Sequence, residues 1–416
     1  MPRNPQQRCA GIPVPVTLSR IGMKPFVRNI LLALLAIVAV AFLALAAAFA
    51  LMRGSLAPKE GTFRVSGIRG EARIQFDAYG VPAIEAESRE DVSFALGYLH
   101  GSERFFQIDL FRRHAAGELS ALVGAAAVSA DRKSRIYQFR ERARRALERL
   151  APERRRHLEA YAAGVNAGLR SLDARPFEYL LLRQRPEAWT PRDSLLVAYA
   201  FYRDMQGGDA SVDRARMTLH TELPPEVARF FTSNGNAWEA AMDGSTTPIL
   251  EIPGSDAWSY LAVGETIGSA SGKPAPAHSP PAGSNHWAVS AERTGIGRAI
   301  VANDPHLTLS VPNTWYKASY TYPALESTDG EPGFIHAFTI PGVPLAIVGQ
   351  TPWTSWGITV SDIDCEDLII LEPAPEQPGH YLAADGAKPI AVVEEEIEVS
   401  GGEPETVRFE VTEWGP

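Results

Sequence analysis

Cysteine is nearly absent: Cys9 and Cys365 are the two in 416 residues. They fall on opposite sides of a long apolar run, which argues against an intramolecular disulfide. There is no C-x-x-C and no H-E-x-x-H, so the usual zinc signatures are missing. An excess of basic charge is also lacking. The formal net charge is -9 and no basic stripe stands out, which excludes the common modes of nucleic-acid binding. Gly295-Ile296-Gly297 begins a dinucleotide fingerprint, but Ile300 stands where its third glycine or alanine belongs. No organic cofactor is expected. What remains is a globular composition, 45% hydrophobic and 21% charged, long enough for one large domain or two to three ordinary ones.

Ile30 to Met52 carries no charge. As a helix it is roughly 35 Å long at about 1.5 Å per residue, enough to span a bilayer. Arg20, Lys24 and Arg28 precede it, which favours a cytoplasmic segment 1–29 and an exported remainder. Two readings compete for 30–52: an uncleaved transmembrane signal anchor, favoured by its length, or a signal peptide cut after Ala48-Phe49-Ala50. Either way the remaining chain is expected to be exported, to a periplasmic or extracytoplasmic location, and the favoured anchor makes the membrane a partner through this helix.

Residues 54–253 read as a helix-rich region. Thr62-Phe63-Arg64-Val65 and Ala72-Arg73-Ile74-Gln75-Phe76 alternate as short strands before a turn at Tyr79-Gly80-Val81-Pro82. Ser88-Arg89-Glu90-Asp91 has capping-box form and opens a helix through Leu99. Helical patterning continues to about Leu122, over 135–150 until an interruption near Pro152, over Leu158–Leu172 and through Ser194–Tyr199. Arg154-Arg155-Arg156 reads as a solvated face. Residues 254–283 turn to Ala, Pro, Ser and Gly, the composition of a spacer that is hard to pack and easy to cut. From Ser284 the pattern is β-rich: a hairpin joins Trp287-Ala288-Val289 to Ala299-Ile300-Val301, and strands are expected at 319–322, 334–338, 345–348 and 356–360.

The spacer ends on Gly283-Ser284-Asn285-His286-Trp287. If the Gly283–Ser284 bond is cut, the serine hydroxyl sits beside its own α-amino group. With a pKa of about 7.7–8, that amine is partly unprotonated near neutral pH and can take the hydroxyl proton. Gly283, lacking Cβ, lets the backbone distort as the hydroxyl attacks its carbonyl. Alone, Gly-Ser after a linker marks no more than a linker end.

The neighbouring motifs change that. Asp77 to Arg113, Leu158 to Leu169, Ser284 to Leu307 and Ile340 to Leu371 stand in one order that resembles the penicillin acylase family of N-terminal-nucleophile amidohydrolases, which includes penicillin, cephalosporin and acyl-homoserine-lactone acylases. The resemblance covers roughly residues 60–416. It implies an α+β, four-layer αββα N-terminal-nucleophile hydrolase fold. The region up to 253 would be the α-subunit part and 284–416 the start of the β-subunit part, the two fragments forming a heterodimer after autocleavage at Gly283–Ser284.

The resemblance also implies roles. Ser284 would be the nucleophile. His306, in Ala302-Asn303-Asp304-Pro305-His306-Leu307, would position the serine or its amino group. Val360, in Trp356-Gly357-Ile358-Thr359-Val360, would donate its backbone N–H to the oxyanion. Leu307, Ile347 and Val348 would line an apolar acyl pocket. Asp364 and Asp367 would be carboxylate ligands of a structural Ca2+, Glu366 a backbone carbonyl ligand, and Asp213 or Asp209 a ligand from the helical part; clustered hard oxygens suit that ion. Two departures stand out. Gln350-Thr351 replaces the His-Asn of many members. Thr412-Glu413-Trp414-Gly415-Pro416 resembles a segment after which members continue, so the chain reads as incomplete at its C-terminus and the asparagine donor that completes the oxyanion hole is expected beyond it. The expected function is a self-processing serine acylase that hydrolyses N-acyl amides. The alternative is an exported, membrane-anchored binding or structural homologue without catalysis.

Overall fold

The computed structural model describes residues 24–206, 210–233, 243–246, 249–258, 283–326, 332–360 and 366–416. Two units are distinguished, Met1–Gly54 and Ser55–Pro416. In the first, helix α1 (Pro25–Gly54) is a single 30-residue rod with no buried residue. Its most apolar stretch has a mean hydropathy of 3.1, so it is long and apolar enough to cross a membrane.

The second unit opens with a hairpin of β1 (Ala72–Phe76) and β2 (Pro82–Ala86). Asp77 Oδ1 closes it by accepting the N–H groups of Tyr79 and Val81, both at 2.8 Å, and Gly80 takes the left-handed φ of 77° that the turn requires. The alternating Thr62–Val65 segment joins no strand. The half-exposed Phe63 ring instead lies against Tyr98, and Val65 packs on the same cluster, so side-chain contact takes the place of ladder pairing there. Ser88 caps α2 (Arg89–Glu103), its Oγ accepting from the Asp91 N–H at 3.1 Å.

The helical region continues with α3 (Phe105–Ala116), α4 (Ser120–Val123), α5 (Val128–Ile136), α6 (Phe139–Arg149), α7 (Pro152–Arg170), α8 (Phe177–Leu181), α9 (Pro191–Gln206), α10 (Ser211–Glu222) and α11 (Pro225–Thr232). Pro152 starts α7 rather than merely breaking its predecessor, since a first-turn residue has no intrahelical N–H bond to lose. Arg154, Arg155 and Arg156 are exposed on α7.

Helices α2 and α7 meet backbone to backbone. Gly97 and Gly101 on one helix face Gly164 and Gly168 on the other. A Cβ on Gly164 would stand 2.0 Å from the Phe94 carbonyl oxygen, and one on Gly101 2.1 Å from that of Val165. Small residues four apart on both partners allow this approach. The pair packs on a six-stranded sheet ordered β1-β2-β5-β6-β7-β8, with β5 Tyr316–Glu326, β6 Pro332–Thr339, β7 Ala346–Gln350 and β8 Ser355–Trp356; between β2 and β5 lie β3 (Gly283–Val289) and β4 (Ile300–His306), a separate antiparallel hairpin. All sheet neighbours are antiparallel except β2 and β5, where Ala83–Glu85 runs parallel to Ser319–Thr321. The strand expected at 356–360 ends at Trp356, and Gly357–Val360 leaves the sheet. Two further hairpins follow: β9 (His380–Ala383) with β10 (Gly386–Pro389), and β11 (Ala391–Ile397) with β12 (Glu405–Val411). The molecule is thus a mixed helix-and-sheet protein.

Two buried polar systems fix the helices to what they carry. Asp109 on α3 has no exposure; it accepts from Arg112 Nε at 2.6 Å, from Arg113 Nε at 3.1 Å and from the Tyr179 hydroxyl at 2.5 Å. Arg112 passes on to Asp193 at 3.1 Å, in the first turn of α9, so α3 and α9 are joined through paired and hydrogen-bonded charges. His100 on α2 anchors the other system. Gly342 N–H donates to Tyr161 Oη at 2.9 Å, and Tyr161 Oη lies 2.8 Å from His100 Nδ1. His100 Nε2 is 3.3 Å from Thr339 Oγ1, which donates to the Tyr316 carbonyl at 2.9 Å. Each hydroxyl gives one proton and accepts one, so this chain of bonds sets His100 as the neutral tautomer with its proton on Nε2. Burial, and secondarily the Arg104 charge, push its pKa down to about 3.

Candidate active site

The β3–β4 hairpin carries Ser284. Alternation along β3 puts Ser284 and His286 on one face and Gly283, Asn285 and Trp287 on the other, and each shares its face with its cross-strand partner: Ser284 with Pro305, His286 with Asn303, Gly283 with His306. Gly283 therefore belongs to the strand itself, and residues 259–282 of the expected spacer lie outside the described residues. Ser255–Trp258 forms one helical turn whose Trp258 ring packs against Phe230 and Phe231.

The backbone N–H of Val360 donates to Ser284 Oγ at 2.9 Å. A donor from a segment 76 residues further on thus lies against the hydroxyl of the Gly-Ser pair. Both groups open onto a cavity of about 360 Å3, within the usual size range of small-molecule sites. Leu307 and Ile347 line it; Val348 does not. The period of two along β7 turns Val348 to the other side of the strand, opposite Phe338. Part of the wall comes from α9, where Val197, Phe201 and Met205 recur every four residues on one helix face. Trp315, Ile340 and Val343 contribute as well. The pocket role of these residues has no motif of its own in the sequence. The apolar stripe on α9 was the available signal, although such a stripe fits plain core packing equally well.

His306, expected to position the serine or its amino group, pairs with Gly283 across the hairpin. Its ring is exposed on the opposite face from Ser284 Oγ, with Nε2 3.2 Å from Asp304 Oδ2 and 3.4 Å from Asn285 Nδ2. Among the described residues no hydrogen bond joins it to Ser284. The strand register supplies the reason, because His306 pairs with Gly283 rather than with the serine.

Of the acidic residues, Asp364 lies outside the described residues, as do Cys365 and Asp209. Glu366 uses its carboxylate to accept the Ala210 N–H at 2.9 Å, just before α10, and Asp213 stands in the first turn of that helix. Asp213 is 3.7 Å from Arg216. Among the described residues no three metal-binding side chains converge. The Glu366–Ala210 bond nevertheless brings the acidic loop to the helix that carries Asp213, and carboxylate and carbonyl oxygens from two such segments are donors of the type a Ca2+ ion takes.

The chain is 29% identical over 374 residues to the acyl-homoserine lactone acylase QuiP of Pseudomonas aeruginosa, covering 87% of this chain and 42% of that protein. It is 29% identical over 372 residues to the penicillin acylase 2 proenzyme of Pseudomonas sp. strain SE83, covering 88% and 46%. With the penicillin G acylase of Escherichia coli the identity is 26% over 390 residues, covering 81% and 44%. The chain thus spans less than half the length of these relatives. The penicillin amidase family profile matches residues 71–416. By that match, the chain belongs to the penicillin amidase family.

Proposed function

We propose that the protein is a self-processing amidohydrolase that cleaves N-acyl amides bearing an apolar acyl group. One observation carries the reading: Ser284 Oγ, bonded by the Val360 N–H, lies at an apolar cavity. In processing, Oγ attacks the Gly283 carbonyl carbon, the C–N bond to Ser284 breaks, and the serine nitrogen leaves as an amine. Water then hydrolyses the Gly283 ester to a carboxylate and restores the hydroxyl. Because Gly283 pairs with His306, the freed nitrogen emerges beside that rung. His306 thus serves the amino group rather than the hydroxyl.

In turnover the α-amine takes the Oγ proton as Oγ adds to the substrate carbonyl, and it returns the proton to the departing amine. Charge grows on the carbonyl oxygen, where the Val360 N–H stabilises it. Water hydrolyses the acyl-serine and releases a carboxylic acid. Leu307, Ile347 and the α9 residues accept an apolar acyl chain, in keeping with the acyl-homoserine lactone and penicillin acylases among the relatives. The four-layer αββα arrangement, the heterodimer of cut fragments, export with α1 as membrane anchor, and a structural Ca2+ held by Asp364, Asp367, the Glu366 carbonyl and Asp213 complete the proposal. The ion would fasten the acidic loop to α10 and take no part in the acyl transfer.

Mass spectrometry of the full-length protein tests it. A fragment beginning Ser284-Asn285-His286 should accompany N-acyl amidase activity, and Ser284→Ala should leave an uncut, inactive chain. An active protein that stays uncut would overturn the mechanism, and a cut, inactive one would favour a binding role.

A further inference from the structure

Val360 lies past the end of β8, so no sheet ladder explains why its N–H points at Ser284. We propose that Asn303 is the positioning residue that holds this N–H in place. The inference rests on the acylase reading above.

The Asn303 carboxamide behaves as an inserted peptide group. Its Nδ2 donates to the Ile358 carbonyl at 2.8 Å, and its Oδ1 accepts the Ile358 N–H at 3.2 Å. A second Nδ2 proton goes to the Asn285 carbonyl at 3.0 Å, directly after the nucleophile. Two donors and the acceptor are all used, and this pattern is satisfied in one orientation of the amide only. One side chain therefore ties the segment bearing the nucleophile to the segment bearing the oxyanion donor.

Register completes the case. Ile358 bonds to Asn303, and two residues later Val360 bonds to Ser284, the partner of Pro305, two residues beyond Asn303. The N–H groups of Ile358 and Val360, two residues apart, both donate toward the β3–β4 hairpin, so fixing Ile358 restricts where the Val360 N–H can point. Gly357 permits the approach. A Cβ there would stand 2.9 Å from Asn303 Cβ and 2.8 Å from His286 Cδ2. Aspartate at 303 would match the shape and keep one acceptor, but it would turn carboxylate oxygens toward two carbonyls.

The test compares two ligands on the processed full-length protein. An alkylboronic acid forms a tetrahedral adduct with a serine hydroxyl and so needs the oxyanion donor. The matching alkyl carboxylate needs the apolar cavity alone. A displacement of about 1 Å costs about a hundredfold in rate, and outright loss of an oxyanion donor about a hundred- to a thousandfold. Asn303→Asp should weaken boronate binding about 10- to 100-fold, lower kcat comparably, and leave carboxylate binding and KM nearly unchanged. Gly357→Ala, which pushes the segment off Asn303, should show the same signature and serves if Asn303→Asp does not fold. Equal loss of both ligands would reduce Asn303 to a structural role, and unchanged boronate binding in both variants would refute the proposal. The processed wild type separates the two levels: if it binds the boronate no more tightly than the matching carboxylate, the acylase reading itself fails.

Discussion

Replacing His100 by glutamine should change how stability responds to acid. Folding lowers the His100 pKa from 6.5 to about 3, chiefly by burial. Between those values the unfolded chain binds a proton that the folded protein refuses. Its stability is therefore complete above about pH 6.5 and is lost as pH falls toward 3. At pH 5 the difference is about 1.5 units, or about 2 kcal/mol at 1.36 kcal/mol per unit. Glutamine cannot titrate. It should cost about 1–3 kcal/mol at neutral pH by disrupting the bonds to Tyr161 and Thr339, and the gap to wild type should then close by about 2 kcal/mol between pH 7.5 and 5. Urea denaturation followed by tryptophan fluorescence, with both proteins kept uncut by Ser284→Ala, measures that gap. Carboxylates titrating elsewhere cancel in the comparison. A gap that stays constant with pH would refute the neutral, buried histidine.

Gly164→Ala gains about 1 kcal/mol of helix propensity but places a Cβ 2.0 Å from the Phe94 carbonyl oxygen; thermal unfolding should show a net loss of about 1–3 kcal/mol. Phe201→Ala enlarges the cavity wall and should shift the preferred acyl chain to a longer one in a chain-length panel, each methylene counting for about 1–3 kcal/mol of discrimination; an unchanged optimum would remove α9 from the pocket. If Ca2+ joins the acidic loop to α10, chelation should lower the melting temperature and Asp367→Ala should abolish that sensitivity; identical melting with and without chelator would remove the ion.

Local rules located what local forces determine. The Ser88 cap, the Asp77–Val81 turn and the β3–β4 hairpin each depend on residues close in sequence, and each could be read there. Thr62–Val65 misled because alternation shows which side chains can be buried, not whether another strand is available to pair. Ile347 and Val348 are equally apolar, and only the register against β6 decides which faces the cavity. Asn303 was hidden for the same reason: its partner, Ile358, is 55 residues away.

The parallel contact between β2 and β5 has a consequence for the molecularity of folding. Cutting between Gly283 and Ser284 would leave β1 and β2 on one polypeptide and β5 to β8 on another. The uncut chain forms that contact within one molecule, in a first-order step. The cut pair must form it by collision, so recovery from full denaturation becomes second order and slows on dilution. The interface would be a core divided between two chains, with Ile84, Val92 and Tyr161 on one side and Tyr316, Ala318 and Ala337 on the other. Cleavage would then make assembly directional: the intact precursor would fold once, and a cut pair would persist only for as long as it came apart slowly.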